Sequence, residues 1–285
     1  MLMSKNLFYS AVIFYFTILC PFTPLRGAEI NKTYLKKEFI QLKAILGSCE
    51  VIKSKDDKIH INLIYSFSDA GFKANFSESS GKLLLEEEFS EKSPKGTSRW
   101  IIAIPKDTRM NISSGTGNFT VEGVESEIKG DTGTGSITIH EGKGIYSISS
   151  GIGSVEVEKP TGTFKLTSGT GNISITDIII KGSSKFSSGM GNVNVTISRS
   201  PDFDISIASG MGDAILNFNG NSLKGCFEFT AKQGSGRIVS PVKFEKEVTA
   251  SDEHFQYDKK SFRVEGQNTP RIQIETGTGL AKLIR

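Results

Sequence analysis

Residues 146–175 read YSISSGIGSVEVEKPTGTFKLTSGTGNISI. Two turns, Gly151-Ile152-Gly153 and Gly169-Thr170-Gly171, stand 18 residues apart in matching surroundings. Tyr146 and Ile148 precede the first, and Phe164 and Leu166 the second. Val155 and Val157 follow the first, and Ile173 and Ile175 the second. Apolar residues at every second position on both flanks mark strands with one buried face. Each turn is therefore a corner between two strands, and the unit repeats.

Working outward, the corner recurs at Gly115-Thr116-Gly117, Gly133-Thr134-Gly135, Gly189-Met190-Gly191, Gly210-Met211-Gly212, Gly234-Ser235-Gly236 and Gly277-Thr278-Gly279. Successive spacings are 18, 18, 18, 20, 21, 24 and 43, with Gly142-Lys143-Gly144 out of phase and not counted. The flanks follow, with Phe119 and Val121, Ile137 and Ile139, and Val193 and Val195 after their corners. Met110 and Ile112, Ile205 and Ile207, and Ile272 and Ile274 come before theirs. One such unit cannot bury its own apolar pairs, but stacked units form continuous internal columns. The glycines Gly115, Gly117, Gly133, Gly135, Gly151, Gly153, Gly169, Gly171, Gly189, Gly191, Gly210 and Gly212 read as structural turns, where backbones turn sharply and approach closely. A hydroxyl column (Ser114, Thr132, Ser150, Ser168, Ser188, Ser209) precedes the corner. A small polar column (Asn118, Ser136, Ser154, Asn172, Asn192, Asp213) follows it. Hydrogen bonding along the stack or to turn backbone is the expected use of both.

The expected fold is all-β: a single-chain parallel β-solenoid (β-helix) with coils of about 18 to 24 residues and N-terminal strands leading into the stack. Domain limits are placed at 1–28 for a signal peptide, 29–109 for an N-terminal β region leading into the solenoid, and 110–285 for the solenoid, with an irregular excursion at about 242–271. Strand-like runs Ile59 to Phe67, Lys82 to Phe89 and Arg99 to Ile104 fill the N-terminal region. Residues 36–47 fit either a short helix or a first strand, and Gly47-Ser48-Cys49 reads as a degenerate first corner. The last recognisable corner lies close to Arg285, so an uncapped C-terminal coil is expected to self-associate.

The first residues have a secretory layout. Lys5 precedes an uncharged apolar run from Leu7 to Cys20, broken by Pro21 and Pro24, with Gly27 and Ala28 as small residues for cleavage. A cut after Gly27 is favoured, because a cut after Ala28 would put Arg26 three residues before it. Leu19 is too large for a lipidation signal at Cys20. Export to periplasm, envelope or medium is the expectation, with no transmembrane span in the mature chain. Removing residues 1–28 takes away Lys5 and Arg26 and no acid, leaving 32 basic and 31 acidic side chains. A formal charge of +1, alternating in sign along the chain, gives no footprint for nucleic acid. Cys49 and Cys226 lie far apart in the expected stack and read as isolated buried thiols.

The segment Ile104-Pro105-Lys106-Asp107-Thr108-Arg109-Met110-Asn111-Ile112-Ser113-Ser114-Gly115-Thr116-Gly117 resembles the opening of the bacterial putative-adhesin β-solenoid family. In that family an Ile/Val-Pro-x-x-Thr phrase leads into a Ser-Gly-x-Gly-Asn/Asp turn, repeated at this spacing. The likeness covers about residues 36–283, most tightly 101–218. It departs at 242–271 and at Arg237, where Asn or Asp is usual. The resemblance implies an exported or envelope-associated bacterial protein of unknown function and supplies no catalytic residue.

Catalytic, cofactor-binding and metal constellations are not found in the sequence. His60, His140 and His254 lie in no HExxH motif and beside no nucleophile elbow. A dinucleotide fingerprint needs a helix after its glycines, whereas a strand follows each corner here. Calcium-binding β-rolls need an aspartate in nearly every nine-residue turn, and only Asp213 stands at the matched position. Glu122, Glu141, Glu156 and Glu158 fall near comparable coil positions and form the one acidic strip on which a polysaccharide-acting enzyme could be built. Asn-x-Ser/Thr triplets at Asn31, Asn75, Asn111, Asn118, Asn172 and Asn194 arise from turn asparagines meeting alternating hydroxyls. The expected function is a non-catalytic exported scaffold, adhesin-like, binding an unknown surface, protein or glycan. The alternatives are an envelope accessory or sensory module binding a partner protein at the C-terminal coil, and a polysaccharide-acting enzyme.

Overall fold

The computed structural model describes residues 27–266 and 269–285. The expected signal peptide, Cys20 included, lies outside them except for Gly27 and Ala28. Among the described residues all regular structure is β, and no helix is long and apolar enough to cross a membrane.

Each coil sends one strand to sheet B, turns at the Gly-x-Gly corner and sends the next strand to sheet A. Lys143–Ile152 and Val155–Glu158 form one such coil. Coils stack in parallel register, with Tyr146 on Ile128 and Phe164, and Val155 on Ile137 and Ile173. The alternating apolar residues therefore stand above one another, about 4.8 Å apart, in columns closed to water. Tyr146, Leu166, Ile173 and Val193 are all buried, and the Tyr146 and Phe164 rings stack with centroids 5.6 Å apart. Gly130 interrupts one column because a β-carbon there would press within 3.0 Å of the Phe119 ring.

From coil 109–122 to coil 205–217 the spatial order follows the chain. At both ends it does not. Phe39–Ala44 and Gly47–Lys53 lie between coil 109–122 and the coil formed by Lys82–Phe89 and Ser98–Ile104. Arg271–Ile284 lies between coil 205–217 and the coil formed by Gly225–Lys232 and Gly236–Val239. Each extreme coil of the chain is thus inserted one place inside the end of the stack.

Parallel coil pairing continues N-terminally of residue 110, and of the two readings open for residues 36–47 the strand is the one formed, at Phe39–Ala44. Two expectations change with this arrangement. The corners at 210–212 and 234–236 are not neighbours in space: the corner 277–279 lies between them, with Gly277 over Gly210 and Gly236 paired with Gly279. The C-terminal coil has no open edge with which to self-associate, because both its edges are hydrogen-bonded to neighbouring coils. Like stacking on like explains the insertion. Residues 272–283 repeat the inward pattern of 205–216: Ile, Ile, a hydroxyl, Gly-x-Gly, Ala and Leu at the same offsets.

Antiparallel strands cover the ends. Lys58–Tyr65 pairs with Ser98–Ile104, Ala28–Leu35 with Lys58–Tyr65, and Phe72–Ser79 with Lys82–Phe89. At the other end Gln256–Val264 pairs with Gly225–Lys232, and Lys246–Ser251 adds to it. Phe262 packs on Phe227 with ring centroids 4.7 Å apart, closing the core there.

Candidate functional site

The corner is where every coil repeats its chemistry. A β-carbon at Gly135 would lie 2.0 Å from the Gly117 carbonyl oxygen, and one at Gly133 2.6 Å from that of Gly115. Close backbone stacking, more than turn conformation, excludes side chains at the first glycine of these corners. At Gly153, Gly171, Gly191, Gly212 and Gly279 the second glycine also has positive φ, 152° at Gly153, whereas the corner 234–236 has its positive φ, 80°, at Gly234 and open space around it. The hydroxyl column is buried and fully engaged. Ser114 donates to Gly47 O at 3.0 Å, Ser150 to Gly135 O at 2.8 Å, Ser209 to Gly191 O at 2.8 Å and Thr276 to Gly212 O at 2.8 Å. Asn118, Asn172, Asn192 and Asp213 each accept, through a side-chain oxygen, a backbone N–H from the next coil in space, at 2.8 to 2.9 Å. The hydroxyl column and the Oδ1 atoms of Asn118, Asn172, Asn192 and Asp213 thus hold neighbouring coils together.

The N-terminal end has a different device. Glu87 is buried, and its two oxygens take four donors. Oε1 accepts from Ser98 and from Trp100 Nε1 at 2.8 Å, while Oε2 accepts from Ile45 N at 2.7 Å and Leu46 N at 3.1 Å. A carboxylate thus satisfies corner N–H groups that a further Gly-x-Gly coil would otherwise meet. Its position was legible as the third inward place of Leu83, Leu85, Glu87.

A second corner went unread in the sequence. Gly123, Glu141, Lys159 and Asp177, spaced by 18, all adopt left-handed backbone with φ between 49° and 63°. Three of the four are not glycine, so composition does not reveal the column. Gly144, set aside as out of phase, and Gly162, not singled out in the sequence, stack just beyond it: a β-carbon on either would lie 1.9 Å from the carbonyl oxygen of the coil below.

The lateral faces remain. On sheet A the column Glu122, His140, Glu158, Thr176 runs beside Thr120, Thr138, Glu156, Ser174, Asn194. The structure therefore brings Glu122 and Glu158 to either side of His140 and puts Glu156 one column away, but moves Glu141 onto the second corner. Glu158 lies 3.1 Å from Lys159 Nζ and 3.5 Å from His140 Nε2. Its hydrogen bond to Lys159 holds the carboxyl below its ordinary range. A general acid needs the opposite shift, so this strip has the character of a charged, solvated face. The groove over it is a shallow 190 Å³.

Sheet B presents a different surface. Over the four coils from 143 to 211 its columns Ser147, Lys165, Lys185, Ser206 and Ser149, Thr167, Ser187, Ala208 hold no carboxylate, and the second column continues into Asp131 at one end and Glu275 at the other. Lys165 and Lys185 stand directly opposite each other, and neither is ion-paired among the described residues. Like charges so placed disfavour the bare face and favour an anion over it. Cys49 is buried, which pushes its thiol pKa far up, whereas Cys226 is half-buried rather than enclosed as expected. Among the described residues no group of three His, Cys, Asp or Glu side chains converges as metal ligands would.

Residues 47–279 match the protein family described as Toastrack DUF4097. Similar solved structures include a putative adhesin from Bacteroides fragilis, with 14% identity over 89% of this chain and 95% of that one and a TM-score of 0.46. A putative cell adhesion protein from Clostridium sporogenes has 14% identity over 89% and 97%, with a TM-score of 0.34. A putative adhesin from Parabacteroides distasonis has 13% identity over 67% and 89%, with a TM-score of 0.32. Comparison with curated proteins gives no match.

Proposed function

The chain belongs to the Toastrack DUF4097 family, and from that premise we propose a non-catalytic exported scaffold that binds another surface, protein or glycan through its lateral faces. The observation that supports it best is the four-coil stretch of sheet B between Asp131 and Glu275, which holds no carboxylate in its two columns and opposes Lys165 to Lys185. Small hydroxyl side chains keep this face flat, and the stacked backbone beneath is already ordered, so a ligand pays little entropy for ordering its receptor. The adhesion-related names of the solved relatives fit this reading.

The test is a pull-down from native envelope, paired with a glycan array, using residues 29–285. The expected result is capture that falls at least about tenfold in a Lys165→Glu/Lys185→Glu chain and persists in Glu156→Lys/Glu158→Lys. Absence of binding to any surface, protein or glycan would sink the proposal. Retention of full binding by the sheet B variant would move the site off that face.

A further inference from the structure

The last coil of the chain occupies a slot rather than an end. Arg271–Ile284 has Ile205–Met211 and Ala214–Asn217 along one edge. Gly225–Lys232 and Gly236–Val239 run along the other. Those two neighbouring coils are joined directly through residues 218–224, so they are continuous chain without it. Their inward residues also match each other through it: Ile205 on Ile272 on Phe227, and Ile207 on Ile274 on Phe229. If the strand left, two surfaces of the same direction and alternation would face one another and could close as ordinary consecutive coils do. The preceding hairpin would stay behind, since Gln256–Val264 is paired along Gly225–Lys232. At the other end of the stack, the inserted strands Phe39–Ala44 and Gly47–Lys53 are flanked in sequence by Ala28–Leu35 and Lys58–Tyr65. Those two strands are paired with each other in the end cap, so that coil cannot leave without dismantling it.

We infer that the slot between coils 205–217 and 225–239 is a strand-exchange site whose second occupant is residues 271–284 of another copy of this chain. The slot is selective by geometry. It takes Ile272 and Ile274 on the sheet B side, and Ala281 and Leu283 on the sheet A side. The Thr276 hydroxyl reaches Gly212 O, and glycine is required at 277, where a β-carbon would lie 2.4 Å from Gly210 O. A copy of the chain carries that pattern at the right offsets. Its own strand fills the slot at low concentration because tethering gives it a high effective concentration. Exchange between copies gains as the protein is concentrated, linking chains through a coil with no exposed edge.

Cys226 supplies the test, because its register partner in the inserted strand is Arg271. Neighbouring strands bring such Cα atoms to about 4.8 Å, within disulfide reach. Full-length Arg271→Cys is incubated over a range of concentrations and then oxidised. In the unexchanged chain the new disulfide closes within one molecule; after exchange it joins two. Exchange predicts covalent dimers and longer species on a non-reducing gel, their fraction rising with concentration before oxidation. In parallel, the unaltered chain should take up a labelled 271–285 peptide to at most one per chain, and an Ile274→Asp peptide at least about tenfold less. If the Arg271→Cys chain does not fold, peptide uptake alone decides. Only intrachain disulfides at every concentration, with no peptide uptake, would overturn the inference.

Discussion

The middle of the stack and its two ends are built on different rules. From 109 to 217 every coil lies on the one before it, every Gly-x-Gly corner covers the last, and the hydroxyl column runs unbroken. At the ends that column finishes in Ala44 and Ala231, antiparallel strands replace parallel ones, and chain order departs from spatial order. A local repeat can propagate but cannot stop itself, because its last strand always presents an unpaired edge. The ends stop it with antiparallel caps, with the Glu87 carboxylate, and with strands brought back from the extremes of the chain.

The largest expected break in the regular region is Gly135→Ala. Its β-carbon would meet the Gly117 backbone on a side that cannot yield, so a loss of at least about 3 kcal/mol is expected, or failure to fold, by thermal melting. Gly220→Ala sharpens the contrast: that glycine has φ of 76° but open space around it, and about 1 kcal/mol is expected. At the N-terminal end Glu87→Ala leaves Trp100 Nε1 and two backbone N–H groups without their acceptor, with an expected loss of about 3 kcal/mol. Glu87→Gln should not restore it, because both carboxyl oxygens act as acceptors and an amide nitrogen would face donors on one side. An uncooperative melt confined to the N-terminal end would show that the ends unfold apart from the middle.

Ser150→Ala removes one bond of the hydroxyl column and should cost about 1 kcal/mol by denaturant midpoint. The smallest effect is at the exposed strip. Glu158 is held ionised below its ordinary range by Lys159, so its stabilising contribution is present above that range and lost as pH falls through the lowered value. NMR titration should place its midpoint below an ordinary glutamate, and Lys159→Ala should move it back up.

The regular region was legible because its signals are local. Alternating pairs such as Val155 and Val157 fix the inward face, and an 18-residue spacing fixes the stacking. The second corner was not legible, since Glu141, Lys159 and Asp177 take left-handed backbone under the coils around them rather than by residue type. The insertion of Arg271–Ile284 was hidden for another reason. Phe227 and Ile272 are equally good apolar neighbours for Ile205 in any reading of period. The available clue was the match of 272–283 to 205–216 down to Ala281 and Leu283, a comparison between coils rather than within one. The lateral faces were legible as solvated columns, but the opposition of Lys165 to Lys185 depends on the 20-residue step between them, which only a register resolves.

The central claim is that chain order and spatial order part at the ends, and paired cysteines test it most directly. In a Cys49→Ser/Cys226→Ser background, three double variants are oxidised: Ser206→Cys with Gln273→Cys, Gln273→Cys with Glu228→Cys, and Ser206→Cys with Glu228→Cys. Insertion predicts rapid disulfides in the first two, whose residues are register neighbours, and none in the third, whose residues stand two strands apart at about 9.6 Å. A disulfide in the third with none in the first would place coil 225–239 directly on coil 205–217 and contradict the insertion.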